Sequence, residues 1–285
     1  MTDPIVVGVD GSGRSLRALL WAAHEAALRH CPLRIIHVLP PAHSYATSEE
    51  GRTWEKSDWD QGVAAEATAI AREAHPALDV TSDLPSGTPA AVLLAEAERA
   101  HTVVLGAKGM GGFGSLLLGS VALQVVGHAV CPVVIVNHVT TGHRRIVVGT
   151  DGSAHSQAAL AYAFEQASLR SAQLQAVHAW SHPGPHAYVS SAQDAMAKER
   201  LQFLEEWLAP LREEHPDVEV VEQLPDEDPV VALARASDRA DLLVVGSRGL
   251  GGFHGLALGS VSHHLLQFSQ CPLAIIRPRP QAMSA

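Results

Sequence analysis

Residues 106–120, GAKGMGGFGSLLLGS, and residues 246–260, GSRGLGGFHGLALGS, carry the same glycine pattern 140 positions apart, each with one cation, Lys108 or Arg248, inside it. Each follows a short apolar run of strand type (HTVVLG, DLLVVG) and leads into a segment of helical type (GSVALQVVGHAV, GSVSHHLLQFS). Glycines such as Gly106, Gly109, Gly111 and Gly112 let a backbone come close to a ligand. The N-terminus of the helix that follows has free N–H groups that suit an anion, and Gly119 and Ser120 stand where that helix should start. Ser120 is expected to cap the helix, or to offer its hydroxyl to a phosphate. No Asp or Glu occurs in residues 99–150 or 242–285, although the formal net charge of the chain is −10. These residue types in this order point to an anionic ligand held largely by backbone amides. The same stretches also hold the last apolar strand of each half, which by itself would keep them free of acids.

More specific chemistries fail on spacing. Neither loop has the Lys-Ser/Thr pair that ends a P-loop. Gly109, Gly111 and Gly114 spell G-x-G-x-x-G, but His254 replaces the third glycine in the second copy. The match also lies at the end of its domain, without the acid expected about 20 residues later in a dinucleotide fold. Seventeen histidines are scattered, and the adjacent His263 and His264 on their helix are accompanied by no H-x-x-x-H or H-E-x-x-H helix pair, so the metal expected is a magnesium ion carried by phosphates. There is no G-x-S-x-G elbow. Cys31, Cys131 and Cys271 form no C-x-x-C pair; they read as buried thiols of a reducing compartment. The acidic balance argues against nucleic-acid or anionic-membrane partners. No apolar run nears the roughly 18–20 residues of a membrane span. MTDPIVVGVDGS does not read as a signal peptide, and the expected location is cytoplasmic.

The elements that must position the loops are also written twice. IVVGVDGS at 5–12 returns as IVVGTDGS at 146–153, REAHP at 72–76 as REEHP at 212–216, and Cys131-Pro132 as Cys271-Pro272. Landmarks in constant order mean a tandem duplication. The join falls near TTGH at 140–143, so domains of 1–139 and 144–285 are expected from the 285 residues. Within each half, β-branched runs alternate with amphipathic stretches. In SLRALLWAAHEAALRH, the helical period puts Leu16, Leu19, Leu20, Ala23 and Ala27 on one face. The alternation predicts an α/β fold: two tandem open five-stranded parallel sheets with helices on both faces.

Both copies share G-x-x-G, nine residues, then G-S, together with the strand-end D-G-S (Asp10-Gly11-Ser12; Asp151-Gly152-Ser153) and a final C-P-[VL] strand. In these motifs the chain resembles the universal stress proteins, in their tandem two-domain actinobacterial form, over almost its whole length. The resemblance implies ATP as ligand, with the glycine loop and Gly-Ser pair around the phosphates. It places an Asp at the ribose and the end of the second strand at adenine. Carried over, the ATP-binding residues are Gly8, Asp10, Val38, Gly106, Lys108, Gly109, Met110, Gly111, Gly112, Gly119, Ser120 and Val121. In the second half they are Gly149, Asp151, Ala179, Gly246, Arg248, Gly249, Leu250, Gly251, Gly252, Gly259, Ser260 and Val261. Asp10 also reads simply as turn chemistry before the first helix. Tyr45, Trp54 and Trp59 in the loop at 43–60 either cover the adenine end or pack on their own helix.

The implied role is a nucleotide-dependent sensor or regulator of a stress response or growth control, read by a protein partner. A homodimer is expected, with the last strand of each half at a sheet edge that seeks pairing. Two rivals stand beside it: a slow ATPase or nucleotidyl-transfer enzyme, and an interaction scaffold that binds no nucleotide. The copies also differ. SGTPAAVLL at 86–94 becomes DEDPVVALA at 226–234, and Gly114 becomes His254. From these changes the second site is expected to be the weaker or the more ligand-selective of the two.

Overall fold

The computed structural model describes residues 2–39, 58–109, 118–180, 190–251 and 257–278, with the backbone alone for 190–197. The chain forms two compact units, Met1–Asn137 and His138–Ala285. The first unit runs β1 (Ile5–Gly8), α1 (Gly13–Arg29), β2 (Leu33–Ile36), α2 (Asp58–Ala74), β3 (Val80–Asp83), α3 (Pro89–Ala97), β4 (Thr102–Gly106), α4 (Ser120–His128) and β5 (Val133–Val136). The second runs β6 (Arg145–Gly149), α5 (Ala154–Arg170), β7 (Gln173–Val177), α6 (Ser190–Glu214), β8 (Val220–Gln223), α7 (Pro229–Ser237), β9 (Leu242–Gly246), α8 (Ser260–Phe268) and β10 (Leu273–Ile276).

The strands of the first unit lie in the order β3-β2-β1-β4-β5, all parallel. Those of the second lie in the order β8-β7-β6-β9-β10, also parallel. The sheets are built from β-branched runs because both faces are covered and alternation would put polar groups inside. Ile5, Val7, Leu33, Ile35, Val103 and Val104 are buried in the first unit, as are Ile146, Val148, Leu174 and Val244 in the second. Each buried Ile, Val or Leu contributes about 1.5–3 kcal/mol relative to exposure.

Helix α1 packs by a face rotated from the expected one. Leu19 and Ala23 are buried, but Leu16 and Leu20 are 38% and 43% exposed. The buried row runs through Ser15, Ala18, Leu19, Ala22, Ala23 and Ala26. Small residues let the helix lie close on the sheet, while Leu16 lines a small cleft together with Val63 and Ala67 of α2. Cys31, Cys131 and Cys271 are buried free thiols, and burial pushes the Cys271 thiol up to about 12.

Candidate functional site

In each sheet the strand order reverses between the first and fourth strands of the unit (β1 and β4; β6 and β9), and a crevice opens at their carboxyl ends. Ligands of open α/β sheets bind at such switch points. The turn leaving β1 is set by Asp10, whose Oδ1 accepts the Ser12 N–H at 3.0 Å, with Gly11 at φ +80. Ser12 then caps α1 by accepting the Ser15 N–H. The second unit repeats this with Asp151, Gly152 and Ser153.

The glycine loop closes onto the same aspartate. In the second unit, Leu250 N–H donates to Asp151 Oδ2 at 2.8 Å. A Cβ at Gly249 would strike that oxygen, and one at Gly109 would strike Asp10 Oδ2. Any side chain at either position would have to push that carboxylate aside. Burial of Asp151 works against its charge, yet hydrogen bonds from Ser153, the Leu250 N–H and Ser156 hold its carboxyl below the usual range. The D-G-S turn reading and the crevice position thus hold together: the aspartate fastens the strand-end turn to the loop.

In the first unit, Gly8, Asp10, Val38, Gly106, Lys108, Gly109, Gly119, Ser120 and Val121 line one cavity of about 400 Å³. In the second, Gly149, Asp151, Ala179, Gly246, Arg248, Gly249, Gly251, Gly259, Ser260 and Val261 line a cavity of about 320 Å³. Leu250 is 75% exposed and reaches the site through its backbone N–H. Met110, Gly111, Gly112 and Gly252 lie outside the described residues, as do Gly114, His254, Tyr45 and Trp54. Both volumes fall in the range of small-molecule sites, about 300–1,000 Å³.

Ser120 does not cap α4 as expected. Gly119 occupies the cap position, φ −77 and ψ 149, and no side chain caps the helix; Gly259 does the same for α8. The Gly119 N–H is spent on Ala107 O at 2.8 Å, which pins the loop under the helix. Elsewhere α1, α5 and α7 carry side-chain caps at Ser12, Ser153 and Asp228. Helices α4 and α8, whose first residues Ser120 and Ser260 line the cavities, have glycine instead, and Thr88 before α3 makes no cap bond either; the leading N–H groups of α4 and α8 are left without a side-chain acceptor. An anion is the natural complement.

Sequence reasoning missed the wall of the crevice. His37 follows β2, lines the first cavity, and puts Nδ1 2.9 Å from Val9 O and Nε2 2.9 Å from Asp60 Oδ1. The ring thus bridges the carbonyl after β1 to a buried carboxylate of α2. His178 stands 141 positions on, with Nδ1 2.8 Å from Thr150 O but Nε2 3.2 Å from Arg200 Nη1. An arginine can only donate, so Nε2 is the acceptor of that bond. Asp60 and Arg200 are 140 apart, the offset of the REAHP and REEHP landmarks on the same helices. The repeat of HV and HA after the second strand was the available signal. Trp59 belongs to α2, is 51% exposed and also lines the first cavity.

The acids of the second copy are used locally. Asp228 Oδ1 accepts the Val230 N–H at 2.8 Å and caps α7, and Glu227 pairs with Arg235.

The profile of the universal stress protein family matches residues 1–137 and again 142–277. The chain belongs to the universal stress protein family. It is 37% identical over 284 residues to universal stress protein Rv2005c of Mycobacterium tuberculosis, covering 96% of each chain. A universal stress protein of Mycolicibacterium smegmatis is 33% identical over 289 residues, covering 96% of this chain and 97% of the relative. The crystal structure of a universal stress protein from Archaeoglobus fulgidus superposes with a TM-score of 0.67 at 20% identity, covering 97% of each chain. That likeness concerns the fold. As in the sequence, the family profile covers the universal stress protein repeat twice, once for each crevice.

Proposed function

We propose that each unit binds ATP, with magnesium on the phosphates, and that the bound nucleotide sets a state read by a regulatory partner in a stress response or growth control. One observation carries this reading. At the switch point of each unit an uncapped helix N-terminus, a glycine loop and one cation surround a cavity of nucleotide size. The end of the second strand, at Val38 or Ala179, supplies the far wall, where backbone groups suit a planar base. Among the described residues, no cluster of three or more His, Cys, Asp or Glu gathers to hold a metal, so magnesium belongs to the ligand in this reading. A homodimer of the whole chain and a cytoplasmic location go with it. Among the described residues, no helix is long and apolar enough to cross a membrane.

Turnover should be slow. A hydrolytic base would have to come from Asp10, Asp151 or the acids at 226–228. Asp151 has both oxygens engaged by backbone N–H groups, and Glu227 and Asp228 serve α7. Calorimetric titration of nucleotide-stripped protein with ATP and magnesium, followed by phosphate release, tests the proposal. Two nucleotides per chain with negligible release are expected. Rapid release would favour the ATPase, and no binding would favour the scaffold. Sedimentation equilibrium tests the dimer.

A further inference from the structure

The two crevices differ in how their cations are gathered at the phosphate end. In the second unit two guanidiniums and an imidazole come together from three elements: Arg248 after β9, Arg277 after β10 and His155 in the first turn of α5. His155 Nδ1 lies 2.9 Å from Ser247 Oγ, and Arg277 Nη2 donates to Ala257 O at 2.9 Å, just before the Gly259 cap. Arg248 lines the cavity, and its Nε is buried with no hydrogen-bond partner among the described residues. The cations press on one another. Burial and then the Arg248 charge hold Arg277 below its ordinary value. Burial, then Arg248 and Arg277, do the same to His155, with Asp151 opposing. At the equivalent places the first unit has Lys108, an exposed Arg14 and, where the second unit has its second guanidinium, the neutral Asn137; Ala107 stands for Ser247.

Like charges gathered in a partly buried place cost free energy until an anion joins them. An orphaned guanidinium N–H inside the same site adds a desolvated donor awaiting an acceptor. We propose, resting on the nucleotide reading above, that the second crevice selects its ligand by phosphate charge. It takes a triphosphate far more tightly than a monophosphate, while the first crevice discriminates little on phosphate number. Arg248 meets the phosphates, and Arg277 acts as a positioning residue that holds the loop and adds field.

The test titrates the full chain with ATP and with AMP, one crevice at a time. Gly109→Val closes the first by collision with Asp10, and Gly249→Val closes the second. The preference for ATP over AMP should be larger in the second unit by about tenfold, the scale of one hydrogen bond to a charged group. Inorganic tripolyphosphate should displace ATP from the second unit and leave the first occupied. Arg277→Asn should weaken ATP about tenfold and AMP less than about twofold in the second unit. Asn137→Arg should raise the ATP preference of the first, a gain that misfolding cannot produce. Equal ATP-to-AMP ratios in both units, or an Arg277→Asn effect alike on both ligands, would overturn the selectivity. Absence of binding by either nucleotide in the parent chain would overturn the nucleotide reading itself.

Discussion

His37 and His178 occupy equivalent places after β2 and β7, yet one faces a carboxylate and the other a guanidinium. The side chains of His37 and Asp60 are 6% and 9% exposed, so removing the acid leaves a buried ring nitrogen without its partner. Asp60→Ala should cost about 1–3 kcal/mol of stability, read as a lower denaturant midpoint. Arg200→Ala should cost about 1 kcal/mol. A loss at Asp60 smaller than that at Arg200 would remove the buried carboxylate from the account of stability. His155 makes a second test. Its folded-state value is held below the ordinary one of about 6.5, so the folded chain binds fewer protons there than the unfolded chain. Its contribution is therefore present above the ordinary value and is lost as pH falls below it. An anion beside the ring reverses the shift, so ATP binding near pH 6.5 should take up protons. Titration in two buffers of different ionisation enthalpy measures this, and His155→Gln should abolish the uptake.

At the scale of elements, the starts of α4 and α8 matter most, because each is a helix end left without a side-chain cap. Gly119→Asp would put a carboxylate where the ligand's anion belongs. A Cβ at Gly119 meets Ala107 O and the Lys108 Cα at 3.4 Å, which is ordinary contact. The helix should gain a few tenths of a kcal/mol from the cap and the unit should lose ATP. A variant at least as stable that still binds ATP at parental strength would remove the helix terminus from the argument. Much of this architecture was legible in the residues. The repeated landmarks, the β-branched runs and the G-x-x-G…G-S spacing depend on local pattern, and local pattern decided the parallel order and the crevice. What stayed hidden depended on tertiary packing. Leu16 and Leu20 satisfy the helical period, but an alanine row lets α1 approach the sheet more closely. Ser120 has the right chemistry for a cap and sits one residue too far along. Asp60 and Arg200 lie on helices more than twenty positions from their histidines, with nothing in either segment to announce the pairing.

The whole molecule carries two crevices of one plan, each at the switch point of its own unit's strands. If each unit melts as its own cooperative body, a ligand confined to one should stabilise that one alone. Binding at a hundred times the dissociation constant adds about 2.7 kcal/mol to the state that binds. In Gly249→Val, ATP can enter only the first crevice, because the added side chain meets Asp151. Calorimetry of that variant should then show a melt that splits as ATP is raised, with one transition moving up by several degrees and the other fixed. Gly109→Val should split it the other way, and tripolyphosphate should move only the second unit's transition. A single peak that shifts as a whole would mean that the units unfold together, and that occupancy of one crevice is felt by the entire chain. That result would change what a partner could read, because two differently selective sites would then report as one.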